Sequence, residues 1–246
     1  MMNKYRLATL AAMIMLIALS VPNANADWLD KVLGRGKTEE AAATGLTTDQ
    51  IGSGLKEALE VGTARVVDTL GQTDGFNADP LIHIPLPESL TSVQSALSRI
   101  GMSDALDDLE LRLNRAAEAA TPQAKALFLD AIRNLTMEDV MEIYQGPDDA
   151  ATQYLRGQMS SPLADAMNPV VDQSLADVGA AQSYETVMTQ YNALPLVPKA
   201  EADLTTYVVD MGLDGIFTYL AKEEAAIRNE PVKRTTDLLK QVFGGG

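Results

Sequence analysis

Three clusters of polar side chains in this sequence have residue types that can do chemistry. Asp74, Asn77 and Asp79 put oxygen donors into a loop containing Gly75, which suits a hard cation such as calcium. The spacing is not that of an EF-hand, because glycine directly follows Asp74 and Pro80 ends the run. Asp, Asn and Gly are also ordinary turn formers, so the competing reading is a plain turn. Asn114, Arg115 and Glu118 form the second cluster, with Arg115 and Glu118 placed as neighbours on one helix surface. Alanines at 116, 117, 119 and 120 let a second helix approach closely, and charges left in such a seam must be paired to offset desolvation. This predicts a trio buried against the long C-terminal helix, within reach of Glu224 or Arg228, as a clamp or as the floor of a site.

Glu223, Glu224, Arg228 and Arg234 make the third cluster. Glu224 stands one helical turn before Arg228, the favourable order for an ion pair, and an arginine so placed can also receive a carboxylate or phosphate. His83, the single histidine, lies between isoleucines and before Pro85. It reads as a residue at a cleft edge or as a hydrogen-bonded, partly buried imidazole. Candidate ligand contacts are therefore His83, Asn114, Arg115, Glu118, Glu224 and Arg228, with Asp74, Asn77 and Asp79 as candidate calcium ligands and no cofactor otherwise expected. Asp104, Asp107, Asp108 and Glu110 read as an acidic first turn that complements a helix dipole.

Much chemistry is excluded by composition. The chain has 246 residues and no cysteine, which removes disulfides, Cys-based zinc sites and thiol nucleophiles. Neither a Gly-x-Ser-x-Gly string nor a phosphate-binding glycine loop occurs. With 34 acids against 19 bases, the surface repels nucleic acid and anionic lipid.

The elements that must position these residues are helices, since helical periodicity recurs throughout and strand-like alternation is nearly absent. The expected fold is all-α, a bundle-like single domain with one short proline-rich extended segment. Thr47 or Thr48 caps a helix reaching Leu70. Pro80, Pro85 and Pro87 bar a helix over 71–87, where Leu81–Ile84 forms the one β-like run, placed to pair with Leu194–Pro198. Helices are expected over Glu88–Ile100 and, capped by Ser103, over Ala105–Ala120. Pro122 starts the next, and Thr136 with Asp139 begins another. Asp148 or Asp149 caps a helix through Met159, Pro162 starts one that Pro169 breaks, and Ser183–Ala193 follows. The longest runs from Glu201 to Asn229, and Pro231 opens the last, which closes at Phe243.

Residues 1–26 read as a secretory leader: Lys4 and Arg6, an apolar run Leu7–Leu19, then Ala24-Asn25-Ala26 as a cleavage site before Asp27. The apolar run is too short to span a bilayer, and no cysteine follows it to carry lipid. The expectation is a periplasmic protein with a polar, mobile segment over 27–45 and an ordered domain over 46–244. Losing the leader's two bases makes the −15 of the whole chain still more negative.

Several strings taken together point to a family. Asp74-Gly75-Phe76, Ile82-His83-Ile84-Pro85-Leu86-Pro87, Leu113-Asn114-Arg115-Ala116-Ala117-Glu118-Ala119-Ala120 and Leu213-Asp214-Gly215-Ile216-Phe217 are joined by Glu223-Glu224, Ile227-Arg228 and Leu238-Leu239-Lys240-Gln241-Val242-Phe243-Gly244. As a set they resemble the bacterial family called domain of unknown function 4197. The resemblance implies an exported helical protein with no assigned activity and no catalytic residues to carry over. Many such relatives are lipoproteins, and this chain departs from them in lacking the acceptor cysteine.

The sequence thus favours a binding or interaction module for a small apolar ligand or an envelope partner, in a groove near the proline-rich segments. One rival is a carboxylate-based enzyme in which two of Asp74, Asp79, Glu118 and Glu224 converge with His83. The other is an envelope assembly protein using glycine- and alanine-rich helix faces.

Overall fold

The computed structural model describes residues 46–244; the expected leader and the 27–45 segment lie outside the described residues. The eight α-helices among the described residues are α1 (Thr48–Leu70), α2 (Thr91–Arg99), α3 (Asp104–Asn134), α4 (Met137–Gln145), α5 (Ala150–Asp177), α6 (Ala180–Asn192), α7 (Leu204–Asn229) and α8 (Asp237–Phe243). Short 3-10 turns, Glu88–Leu90 and Pro231–Lys233, precede α2 and α8. No strand occurs among the described residues. The fold is therefore an all-α, bundle-like domain, as the periodicity requires.

The long helices α1, α3, α5 and α7 share one core. At its centre the Phe128 and Phe217 rings meet edge to face, with centroids 5.6 Å apart. Helix starts follow local chemistry. Thr47 and Gln50 exchange backbone and side-chain hydrogen bonds in a capping box at α1, and Thr136 with Asp139 does the same at α4.

Proline misleads at three positions. Pro122 does not start a helix but lies inside α3, and Pro162 and Pro169 lie inside α5, which runs unbroken past both. An interior proline costs about 3 kcal/mol in lost hydrogen bonding and crowding. Beyond Pro122 the same α3 face buries Ala124, Phe128 and Ile132 fully. Burial of Phe128 and Ile132 alone is worth about 3–6 kcal/mol, so the apolar stripe outweighs the break. In α5 the stripe Leu155, Leu163, Met167, Val171 and Leu175 does the same. Pro231 opens only the 3-10 turn, and Thr236 caps α8 instead.

The β-like run Leu81–Ile84 is not a strand, and Leu194–Pro198 forms no ladder with it. Segment 71–87 instead folds as successive turns followed by extended backbone, pinned into the core by buried Phe76, Ile82 and Ile84. The Phe76 ring packs against Gly215 of α7, where a Cβ would lie 2.7 Å from ring carbon Cε1, so this close crossing requires glycine.

Candidate functional site

Extended backbone without a strand partner still needs hydrogen bonds. Within segment 74–87 some are made by its own turns, and others come from α3, through side chains at successive helical turns. Glu110 Oε2 accepts from Leu86 N at 3.1 Å. Asn114 is fully buried; its Oδ1 accepts from Ile84 N at 2.9 Å and its Nδ2 donates to Ile84 O at 2.8 Å. Glu118 Oε1 accepts from Phe76 N and Asn77 N, each at 3.1 Å, and its Oε2 accepts from Arg115 Nη1 at 2.6 Å. Residues 110, 114 and 118 recur every four positions, so one helix face holds the segment's backbone at Phe76, Asn77, Ile84 and Leu86.

Arg115 continues outward to Asp74 Oδ1 at 2.7 Å, where Asn77 Nδ2 also donates at 2.9 Å. These two donors hold the Asp74 carboxyl below the usual carboxylate range. His83 is partly buried, with Nδ1 3.0 Å from Asn77 O and Nε2 2.9 Å from Glu110 Oε1. Glu110, expected as a dipole-complementing charge, instead holds His83 and Leu86. Asp108 does not cap either: it accepts from Arg112 Nε at 2.8 Å and from Ser183 Oγ of α6 at 2.7 Å, and Ser103 makes no side-chain cap.

Glu224 and Arg228 belong to a different network, and the expected contact between them and the Asn114, Arg115 and Glu118 trio does not form. Glu224, 7% exposed, accepts from Ala151 N at 3.0 Å and, through Oε2, from Thr152 N and Thr152 Oγ1, each at 2.9 Å. A carboxylate on α7 thus caps α5 from outside that helix, satisfying its free N–H groups and the positive end of its dipole. Arg228 Nη2 bonds Glu224 Oε1 at 3.0 Å and Ile143 O at 2.9 Å, closing the C-terminal end of α4. Arg234 donates to Ile227 O and Arg228 O at the end of α7. Both buried glutamates therefore have the same occupation: two successive backbone amides and an arginine.

The calcium candidates are engaged by protein donors. Asp74 turns to Arg115 and Asn77, while Asp79 accepts from Leu81 N at 2.9 Å and from the Tyr219 hydroxyl. The Tyr219 bond, with the Leu81 amide and the Lys222 charge, holds Asp79 below the usual carboxylate range against its burial. The same bond pushes Tyr219 up.

Two concavities bear on ligands. An apolar slot between α3, α5 and α7, lined by Ala117, Ala120, Met167, Val171, Val208 and Gly212 among others, has a volume of about 10 Å³, the room of a single water. An open groove follows the seam of α1 and α7. One compartment of about 310 Å³ is lined by Arg65, Lys222, Lys233, Glu223 and Tyr219. The next, about 330 Å³, shares Thr69 and Tyr219 and is lined by Asp74, Asp79 and Pro80. Glu223 is engaged by Arg65 Nη1 at 2.6 Å and Lys233 Nζ at 3.5 Å. Lys222 forms no ion pair among the described residues; its ammonium lies 4.9 Å from the Tyr219 ring centroid.

Sequence reasoning missed Arg65, Tyr219, Lys222 and Lys233. The available signal was a few bases in an acidic chain, but they lie on three separate elements and nothing in the sequence aligned position 65 with 223. Of the expected site residues, Asn114, Arg115, Glu118 and His83 are brought together around segment 74–87, and Glu224 with Arg228 are placed at the α4–α5 junction.

The architecture defines an all-α domain whose buried carboxylates organise backbone and whose open groove carries mixed charge. The chain belongs to the family described as protein of unknown function (DUF4197), whose model matches residues 45–244. No curated protein and no solved structure matched the chain.

Proposed function

We propose that this protein acts by binding, and that its ligand carries an anionic group held in the α1–α7 groove. One observation supports the reading: in a chain of net charge −15, the bases Arg65, Lys222 and Lys233 outnumber the acids Glu223 and Glu230 in one compartment of about 310 Å³. Cations gathered against the sign of the whole surface create a local well for carboxylate or phosphate. Lys222, with no ion pair among the described residues and set over an aromatic ring, supplies the contact that a ligand completes. The leader-like residues 1–26 support action outside the cytoplasm.

The groove ends beside Pro80, in keeping with a binding site near the proline-rich segment. A small apolar ligand has less support, because the apolar slot has room for one water. The carboxylate-enzyme reading loses support as well, since Glu118 and Glu224 are committed to backbone amides in separate networks.

Phenyl phosphate is the test ligand. Titrated into ¹⁵N-labelled protein, it should shift the amide signals of residues 65–69 and 219–233 saturably, and Lys222→Glu should weaken this at least tenfold. Unshifted signals at millimolar probe would end the reading.

A further inference from the structure

The α1–α7 groove changes sign along its length. Its first compartment presents three bases, Arg65, Lys222 and Lys233, beside two acids, Glu223 and Glu230, whereas the charged residues lining the second are Asp74 and Asp79. Tyr219 and Thr69 belong to both, so the two compartments are adjacent, with an aromatic ring where they meet. From Ala226 to Tyr219 is seven residues of α7, about 10 Å along the axis, which sets the scale of the first half.

The acidic half is built to stay charged and fixed. Asp79 is oriented by the Tyr219 hydroxyl and the Leu81 amide, and Asp74 by Asn77 and Arg115. Carboxylates held this way accept an incoming ammonium without reorganising, which is the condition for a strong charge-assisted hydrogen bond. Asp74 has φ +69°, a left-handed conformation that is unfavourable for a residue with a Cβ, and it stands where the chain turns its carboxyl toward Arg115 and this compartment. Tyr219 offers its ring to Lys222 on the cationic side and its hydroxyl to Asp79 on the anionic side.

We infer that the ligand is dipolar: a small molecule with an anionic group against Arg65, Lys222 and Lys233, an amine against Asp79 and Asp74, and a short apolar or aromatic stretch across Tyr219. A purely anionic molecule long enough to fill both halves meets two carboxylates in the second, and a purely cationic one meets bases that outnumber acids three to two in the first, so opposite charges at the two ends suit the groove better than like charges. The inference rests on the groove being an anion site and specifies what else the ligand carries.

The test compares phenyl phosphate with 4-(aminomethyl)phenyl phosphate, which adds an ammonium across the ring, on the unaltered protein by calorimetry. The dipolar probe should bind about tenfold more tightly, the worth of one charge-assisted hydrogen bond. Asp79→Asn keeps an acceptor for Tyr219 and should remove that advantage, so that the two probes bind the variant with equal affinity. Equal affinities for the two probes in the unaltered protein overturn the dipolar inference and leave the anion reading standing; no binding of either probe overturns both. Sedimentation with phosphatidylethanolamine vesicles assigns the source: a chain that pellets takes the dipole as a lipid headgroup, and one that stays in solution takes it as a free solute.

Discussion

Glu118 Oε1 accepts the backbone N–H of Phe76 at 3.1 Å, from forty-two positions along the chain, at a site where the carboxylate is 3% exposed. The bond fastens a turn without regular structure to the middle of the longest helix. Removing the acceptor leaves the Phe76 and Asn77 amides unsatisfied and takes from Arg115 one of its two carboxylate partners, Asp74 being the other. Glu118→Ala should cost about 3–5 kcal/mol in chemical denaturation. Arg115→Ala should cost less, about 1–3 kcal/mol, because Glu118 keeps its two amides. Equal losses for the two variants would contradict this division of roles.

The Glu118 and Glu224 networks share no partner. Glu118→Ala and Glu224→Ala should therefore add to within about 0.5 kcal/mol, whereas Glu224→Ala and Arg228→Ala, which remove one ion pair, should not. A double-mutant cycle measures both, and strong coupling between the two glutamates would restore the single cluster that the sequence suggested.

Asp79 and Tyr219 predict how stability depends on pH. The Asp79 pKa is depressed in the folded state, so its contribution is present above the unfolded value, near 3.8, and is lost as pH falls through the folded one. Tyr219 is raised, so its contribution is present below the unfolded value, near 10.0, and is lost as pH climbs through the folded one. Thermal melts should show a plateau between these limits with a fall on either side. Tyr219→Phe should shallow both flanks; an unchanged profile in that variant would refute the pairing.

Two glycines in long helices should respond oppositely to alanine. At Gly215 the added Cβ meets Phe76 at 2.7 Å and Ile82 at 3.3 Å, so Gly215→Ala should destabilise by about 1–3 kcal/mol. At Gly157 it meets nothing within 4 Å, so Gly157→Ala should stabilise by about 0.5–1 kcal/mol. Their melting temperatures, measured side by side, decide it.

What the sequence determined by itself was local or periodic. The apolar stripe of α1, the capping boxes of Thr47 and Thr136, the proline bar to a helix over 71–87 and the absence of thiol chemistry all follow from residues within one or two turns of each other. The family likeness was legible too, from the strings around 74, 114 and 213. Interior prolines were misread, because a local penalty of a few kcal/mol is weighed against burial on a face that only packing creates. Asn114, Arg115 and Glu118 were recognisable as a polar set that needed partners. Those partners proved to be backbone amides of a distant loop, and a backbone amide leaves no mark in a sequence. The groove was hidden for a related reason. Arg65, Lys222 and Tyr219 become neighbours only when α1 and α7 lie side by side, and that register is fixed by tertiary contacts such as Gly62 on Glu223 and Ile227.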